Sequence, residues 1–321
     1  MICWGCGRRP RERFRKRVRL VSRRLVSVGN VIVDLVTNVP ALPPRGADVL
    51  ATGSSIAVGG GFNAMVAASR QGLPTAYAGG HGTGYFGDLV RAALADSRIE
   101  VLLPPDPARD SGYDIALVDA GGERTFVTVF GAEAELTSAQ VAGIHLRPDD
   151  LVLVSGYGLL PTTNGGVLDL WLDALAETHT VFLDPGPLVA DIDADVWASA
   201  AGRADWLSCN ESEAAILTGE RSAGTAADIL ARSGNVLVRL GADGCLLGTD
   251  GFVEHIPGFP ATAVDTNGAG DAHAGAFLAA LAAGLAPRDA AIRANACAAI
   301  AVTRRGPATA PTLDEVLALL A

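Results

Sequence analysis

Lysine is almost absent from this 321-residue chain, and the only one is Lys16. Its absence beyond residue 16 excludes a P-loop, a pyridoxal-phosphate Schiff base and a class I aldolase lysine. Any phosphate handling must then fall to arginine, backbone N–H groups, helix N-termini or a metal. Cysteine is scarce as well, with five residues. Cys3 and Cys6 offer two ligands where a structural zinc needs four, and Cys209, Cys245 and Cys297 each stand alone in apolar surroundings. No disulfide framework is legible, which fits a reducing cytoplasm. His81, His145, His179, His255 and His273 show no metal-ligand spacing. No apolar run approaches the roughly 18–20 residues that cross a bilayer, so no membrane partner is expected. With 49% apolar and only 19% charged residues, intrinsic disorder of the whole chain is excluded.

Charge is unevenly spread. Of the 25 Lys and Arg residues, ten lie in 1–24 beside a single acid, Glu12. The body is left with 15 basic and 34 acidic groups, a formal charge of about −19, and should repel nucleic acid. Residues 1–24 read as a basic, disordered N-terminal tail without a catalytic role; an interaction arm is the other reading. Arg23-Arg24 before an apolar run imitates a twin-arginine signal. However, the run 25–36 contains Asp34 and lacks a small-residue cleavage site, so it reads as the first core strand.

From residue 25 onward, strands and helices alternate. Short apolar strands are expected at 25–33, 75–79, 151–155, 180–184, 206–209, 235–240 and 244–248. Helices are expected at 62–71, 86–97, 165–177, 194–202, 211–218, 223–232, 269–284, 287–304 and 312–320. That alternation predicts an α/β fold with a doubly wound, mostly parallel sheet flanked by helices. Two segments, 36–57 and 110–131, break it with short extended pieces and turns, including two alternating runs around Gly121-Gly122. Such pieces predict a small β-sheet lid over the active face of a single domain spanning 25–321.

The segment 263–284, AVDTNGAGDAHAGAFLAALAAG, carries the strongest chemical signal. A polar Gly-rich turn enters an Ala-rich helix, so the N–H groups of Gly268, Ala269 and Gly270 can converge on an anion with the helix dipole behind them. Asp271 then stands in the first turn. It is either a general base beside developing phosphate charge or an ordinary first-turn acid. Asn210 and Glu213 in CNESEA have the spacing of a capping box, and a ligand role is compatible with it. A GxGxxG at Gly82, Gly84 and Gly87 follows a strand, with Asp106 beyond; alone it is a weak dinucleotide signal. Asp184, in DPGPL, is a strand-end acid that could hold magnesium through water.

DTNGAGD resembles the C-terminal signature of the ribokinase-like (PfkB) carbohydrate kinases, and VGGGFNAMVAASRQG (58–72) resembles their N-terminal Gly-rich signature. The resemblance runs from about residue 25 to the C-terminus. It implies ATP-dependent phosphorylation of a hydroxyl on a small sugar, polyol or nucleoside, with ATP and Mg²⁺ as cofactors. By the same resemblance Asp271 is the catalytic base, and Gly268, Ala269 and Gly270 form the anion hole. Asp34, Gly60, Gly61 and Asn63 would bind the sugar-type substrate. Asn210, Glu213, Arg239, Gly241, Gly244 and Asn295 would line the nucleotide site. Asp265, Asn267, Ala301, Arg304 and Gly306 match positions whose oxygens hold a monovalent cation, K⁺, in ribokinases; at Ala310 those enzymes carry a serine. A homodimer through the lid is also implied.

The family's GGKGAN loop reads GGGFN at 59–63, after Val58, without its lysine and with the bulkier Phe62. Only Arg109 and Arg124 are obvious lid cations for a second phosphate, so an unphosphorylated substrate is expected. Two rivals stand beside this reading. One is a nucleoside or vitamin kinase on the same scaffold, and the other is a catalytically silent ligand-binding regulator whose basic tail holds nucleic acid.

Overall fold

The structure is a computed structural model that describes residues 23–321. The basic segment before residue 23, with Cys3 and Cys6, lies outside the described residues.

Nine strands form the main sheet, in the order Phe252–Ile256, Cys245–Thr249, Asn235–Arg239, Trp206–Asn210, Thr180–Asp184, Leu151–Ser155, Leu25–Ser27, Thr75–Tyr77 and Glu100–Val101. The pairings are parallel except for the last two strands in sequence, which return antiparallel. Buried on both faces, the inner strands are runs such as LVLVS with four consecutive buried residues, as a parallel sheet requires. Helices cover both sides, and two large apolar clusters fill the layers. One cluster centres on Val152, Leu183 and Trp197, and the other on Phe182, Phe277 and the alanines of the helices Ala269–Ala282 and Pro287–Ala301. Those alanines let the two helices pack closely against each other, and the first of them against the helix Phe62–Arg70. No helix among the described residues is long and apolar enough to cross a membrane.

A second sheet of four strands, in the order Gly53–Gly60, Val31–Asn38, Tyr113–Val118 and Arg124–Val129, forms the lid. Here the sequence expectation needs correction. The run 25–33 is not one core strand: the chain leaves the main sheet after Ser27, turns at Gly29-Asn30, and re-enters at Val31 as a lid strand. Asp34 therefore sits on the lid and not at the carboxyl end of a core strand. Both halves are apolar because both are buried, so periodicity could not reveal the change of sheet. The short strands Glu100–Val101 and Phe252–Ile256, and the helix Ser138–Ala142, were not foreseen either.

Arg24 belongs to the folded body. It is 2% exposed, and its guanidinium donates to Asp150 Oδ2 at 2.8 Å and to Glu100 Oε2 at 2.8 Å. The boundary expected after residue 24 thus falls too late by at least this residue. Asp150 is wholly buried and also accepts from the Arg147 N–H. Arg24→Ala would leave that carboxylate short of its cation, and a loss of about 2 kcal/mol is expected in urea unfolding, whereas Arg23→Ala should be neutral.

Candidate active site

The helix Ala269–Ala282 begins at the carboxyl edge of the main sheet. Its N-cap, Gly268, lies in the left-handed region at φ 72°, a conformation that costs glycine nothing. No side chain caps this end, so the first-turn N–H groups stay available to an anion. Asp271 stands one turn in, partly buried, and Asn63 Nδ2 donates to its Oδ2 at 3.2 Å. The other end of the Asn63 amide accepts from the Ala308 N–H at 2.9 Å, which fixes its orientation. Burial, reinforced by the negative charge of Asp184, raises the Asp271 carboxyl to about 7, against the opposing pull of Asn63 and Arg239.

Arg239 closes the strand Asn235–Arg239 and is the cation of this site. It donates to Asp184 Oδ2 at 3.0 Å, to Ser208 Oγ at 2.5 Å and to Glu213 Oε2 at 3.4 Å. Its guanidinium also abuts the anion turn, since a Cβ added at Gly270 would lie 3.3 Å from Arg239 Nε. Asn210 and Glu213 form a full capping box on the helix Glu211–Thr218. Glu213 Oε2 accepts from the Asn210 N–H at 2.7 Å, and Asn210 Oδ1 accepts from the Glu213 N–H at 2.8 Å. Burial, with Asp184 nearby, holds the Glu213 carboxyl above the usual range.

Asp34 is 7% exposed on the lid strand Val31–Asn38. Burial raises its carboxyl to about 6, with Asp114 adding to the rise and Arg124 opposing it. Its charge is felt at Asp271, so lid and core acids face one space. Gly60 turns the lid strand into the helix Phe62–Arg70 at φ 64°, and a Cβ there would lie 2.7 Å from Asn30 O. The adjacent Gly61 N–H donates to that same carbonyl at 2.7 Å.

Other expected residues lie apart or are otherwise engaged. Gly241 and Gly244 shape the turn after Arg239, with positive φ at both. Asn295 is buried, and its amide is committed: Nδ2 donates to Ile256 O and Pro257 O at 3.0 Å each, while Oδ1 faces His273 Nε2 at 3.1 Å. It pins the turn after the strand Phe252–Ile256. Burial and Arg239 hold His273 down to about 3, so it is neutral at physiological pH.

Asp265, Asn267 and Gly306 do converge. Asp265 Oδ1 accepts from the Asn267 N–H at 2.9 Å, and Oδ2 accepts from the Gly306 N–H at 3.0 Å. The lid's Arg124 also bonds Asp265 Oδ1, at 2.6 Å. Nearby, Ala301 O accepts from Thr309 Oγ1, and Arg304 bonds Thr309 O and Glu315. Arg109 is paired with Glu135.

The GxGxxG turn has a different use. Asp110 caps the helix Tyr85–Asp96, accepting from the Phe86 N–H at 3.1 Å and the Gly87 N–H at 2.6 Å. A carboxylate thus already fills the place where a pyrophosphate would sit; a side chain at Gly84 would collide with it, and one at Gly87 with the Gly82 carbonyl.

Three contributors went unread in the sequence. Ser208 holds Arg239, and Asp114 faces Asp34. Tyr157 follows the strand Leu151–Ser155, and its phenol is raised to about 12 by burial and then by Asp114, Asp271, Asp184 and Glu213. Its phenol is thus within reach of the charges of both the lid acid and the core acids. A residue just past the carboxyl end of a central parallel strand is where a ligand contact could have been sought.

This architecture, an α/β body with a β lid over an uncapped helix start and a carboxylate, is that of a ribokinase-like enzyme. The family model described as pfkB family carbohydrate kinase matches residues 22–313, and the chain belongs to that family. It is 33% identical over 306 residues to an uncharacterized sugar kinase, YegV, of Escherichia coli strain K12, covering 93% of this chain and 94% of that one. It is 31% identical over 315 residues to a ribokinase of Haemophilus influenzae, covering 94% and 99%. Among solved structures, an Arabidopsis thaliana ribokinase complexed with ribose and ATP superposes with a TM-score of 0.78 at 24% identity, covering 94% of this chain and 99% of that one.

Proposed function

We propose that this chain transfers the γ-phosphoryl group of ATP to a hydroxyl of a small sugar, polyol or nucleoside. The observation that carries the reading is Asp271, raised to about 7 in the first turn of an uncapped helix and facing Asp34 across the lid. A carboxylate near neutrality can take the proton of an attacking hydroxyl. The Gly268, Ala269 and Gly270 amides and the adjacent Arg239 would stabilise charge on the transferring phosphoryl. Asp34, Gly60, Gly61 and Asn63 would orient the acceptor, and the lid would exclude water.

Among the described residues, no group of three or more His, Cys, Asp and Glu side chains is arranged to hold a metal by itself. Mg²⁺ is normally held by one or two carboxylates together with nucleotide phosphates and water, and Asp184 and Glu213 suit that mode. When bound, Mg²⁺ would neutralise phosphate charge. Asp265, assigned by resemblance to K⁺, is already bonded to Arg124, Asn267 and Gly306. A K⁺ there would have to displace the lid arginine from the carboxylate.

The lid also favours a homodimer. Ile56, Leu35, Ile115 and Val127 are cross-strand neighbours in one row, and Ile56 and Val127 are each 55% exposed. Such a continuous apolar row favours burial against a second copy. Sedimentation should show a dimer that Val127→Glu dissociates. The three described cysteines are buried and free, consistent with residence in the cytoplasm.

A coupled ATPase assay over sugars, polyols and nucleosides tests the reading directly. In it, Asp34→Ala should raise the acceptor KM about 10- to 100-fold and leave the ATP KM within about two-fold, since only the acceptor loses a charge-assisted hydrogen bond. Equal effects on both substrates would point to a damaged fold.

A further inference from the structure

The lid carries a second carboxylate beside Asp34. Asp114 is the direct neighbour of Asp34 on the parallel strand and of Thr128 on the antiparallel one. Residues opposed across adjacent strands share a face, so both carboxylates project from the face that Asp34 turns toward Asp271. Asp114 Oδ1 is buried without a hydrogen-bond partner, and Thr128, its cross-strand neighbour, favours the ionised form of the same carboxylate. Asp34 is 7% exposed, and among the described residues no side chain or backbone group donates to its carboxylate. An ionised carboxylate only accepts hydrogen bonds, and buried acceptors in folded proteins are normally satisfied. Two adjacent carboxylates with unused acceptor capacity suit a ligand that brings donors of its own.

The surrounding charges narrow the ligand. Arg124 is held by Asp265 and Arg109 by Glu135, so neither lid cation is uncommitted. Asp271 feels the charge of Asp34, and the Tyr157 phenol feels those of both Asp114 and Asp271. A phosphate ester entering here would meet Asp34, Asp114 and Asp271 in poorly solvated surroundings, whereas hydroxyl groups would meet acceptors.

Resting on the kinase reading above, we propose that Asp114 is a second substrate-recognition residue. With Asp34 it selects an uncharged acceptor bearing at least two hydroxyl donors on its lid-facing edge, and rejects sugar phosphates. Thr128 is a positioning residue that orients the Asp114 carboxylate.

The test is steady-state kinetics of the full chain against pentoses, hexoses, pentitols and nucleosides, with ribose 1-phosphate, ribose 5-phosphate and fructose 1-phosphate as charged probes. The unmodified chain should prefer its best neutral acceptor over every phosphate ester by about 100-fold in kcat/KM, the scale of an unfavourable like-charge contact. Asp114→Ala should raise the KM of that acceptor about 10- to 100-fold, with the ATP KM within about two-fold. Asp114→Asn should fall between the two. Thr128→Val, at an exposed position that tolerates change, should raise the acceptor KM several-fold and leave kcat unchanged. A phosphate ester as the best acceptor would overturn the inference while the kinase reading stood, as would an unchanged acceptor KM in both the Asp114→Ala and Thr128→Val chains. If the unmodified chain phosphorylated nothing in the panel, the kinase reading itself would fail, and this inference with it.

Discussion

Asp271→Asn is expected to lower kcat by roughly 10²- to 10⁴-fold, the usual worth of a general base, with nucleotide affinity nearly unchanged. The amide keeps the shape and the contact with Asn63 but cannot accept the hydroxyl proton. Because the carboxyl is raised to about 7, the pH profile carries the same information. The base works only when ionised, so kcat/KM in the unmodified chain should rise with pH through about 7 and then level off. That rise should be missing from the residual activity of the variant. Stability should move the opposite way. A carboxyl raised from its ordinary value of 3.8 to about 7 on folding stabilises the native state fully below pH 4. That contribution is lost as pH rises through 7. Asp271→Asn removes the buried charge, so its melting temperature at pH 8 should equal or exceed that of the parent. Activity within a few-fold of the parent would remove Asp271 from the mechanism.

Arg239→Met should damage both stability and activity. The guanidinium side chain is 13% exposed and binds Asp184 and Glu213, whose side chains are 24% and 5% exposed. Methionine replaces much of its length but leaves two crowded carboxylates, with Asp271 close by. Removing one partner from a buried ion-pair group costs about 3–5 kcal/mol; the partial solvation of Asp184 puts this case near the lower limit, about 3 kcal/mol. Urea unfolding at pH 7.5 measures that loss. Loss of the cation beside the anion turn should also cut kcat by about 10²-fold, as for loss of one transition-state donor. Adding Asp184→Asn should restore part of the stability but not the rate, because it relieves the repulsion without returning a positive charge. If the double variant regained full activity, Arg239 would be only a structural tie.

The chemistry that could be read in advance is local. The anion turn at 268–270 and the acid after it occupy four consecutive residues, and the box at Asn210 and Glu213 spans a single helical turn. Such features depend on backbone hydrogen bonds over short spacings, so residue order alone reveals them. The helix Glu211–Thr218 and the strands Leu151–Ser155 and Thr180–Asp184 begin and end where their patterns do. By contrast, Asn295 and Asp265 match a pattern, yet the Ile256 carbonyl that holds the one and the Arg124 and Gly306 groups that hold the other lie dozens of residues away, so what each side chain does was not legible.

The sequence by itself determined the α/β architecture, the family, the Gly-rich turn that opens the helix Ala269–Ala282 and the absence of lysine chemistry in the body. Alternation, capping and composition act over a few residues and leave their pattern in the chain. Only the tertiary structure decided that the chain changes sheets between Ser27 and Val31, which carries Asp34 onto the lid. It alone set Asp114 beside Asp34, Arg239 among Asp184, Ser208 and Glu213, and Asp110 on the helix start that the GxGxxG pattern had offered to a phosphate. Each of these depends on strand register or on contacts between distant segments. Charge and burial at such sites are properties of the packed neighbours and not of the residue that carries them.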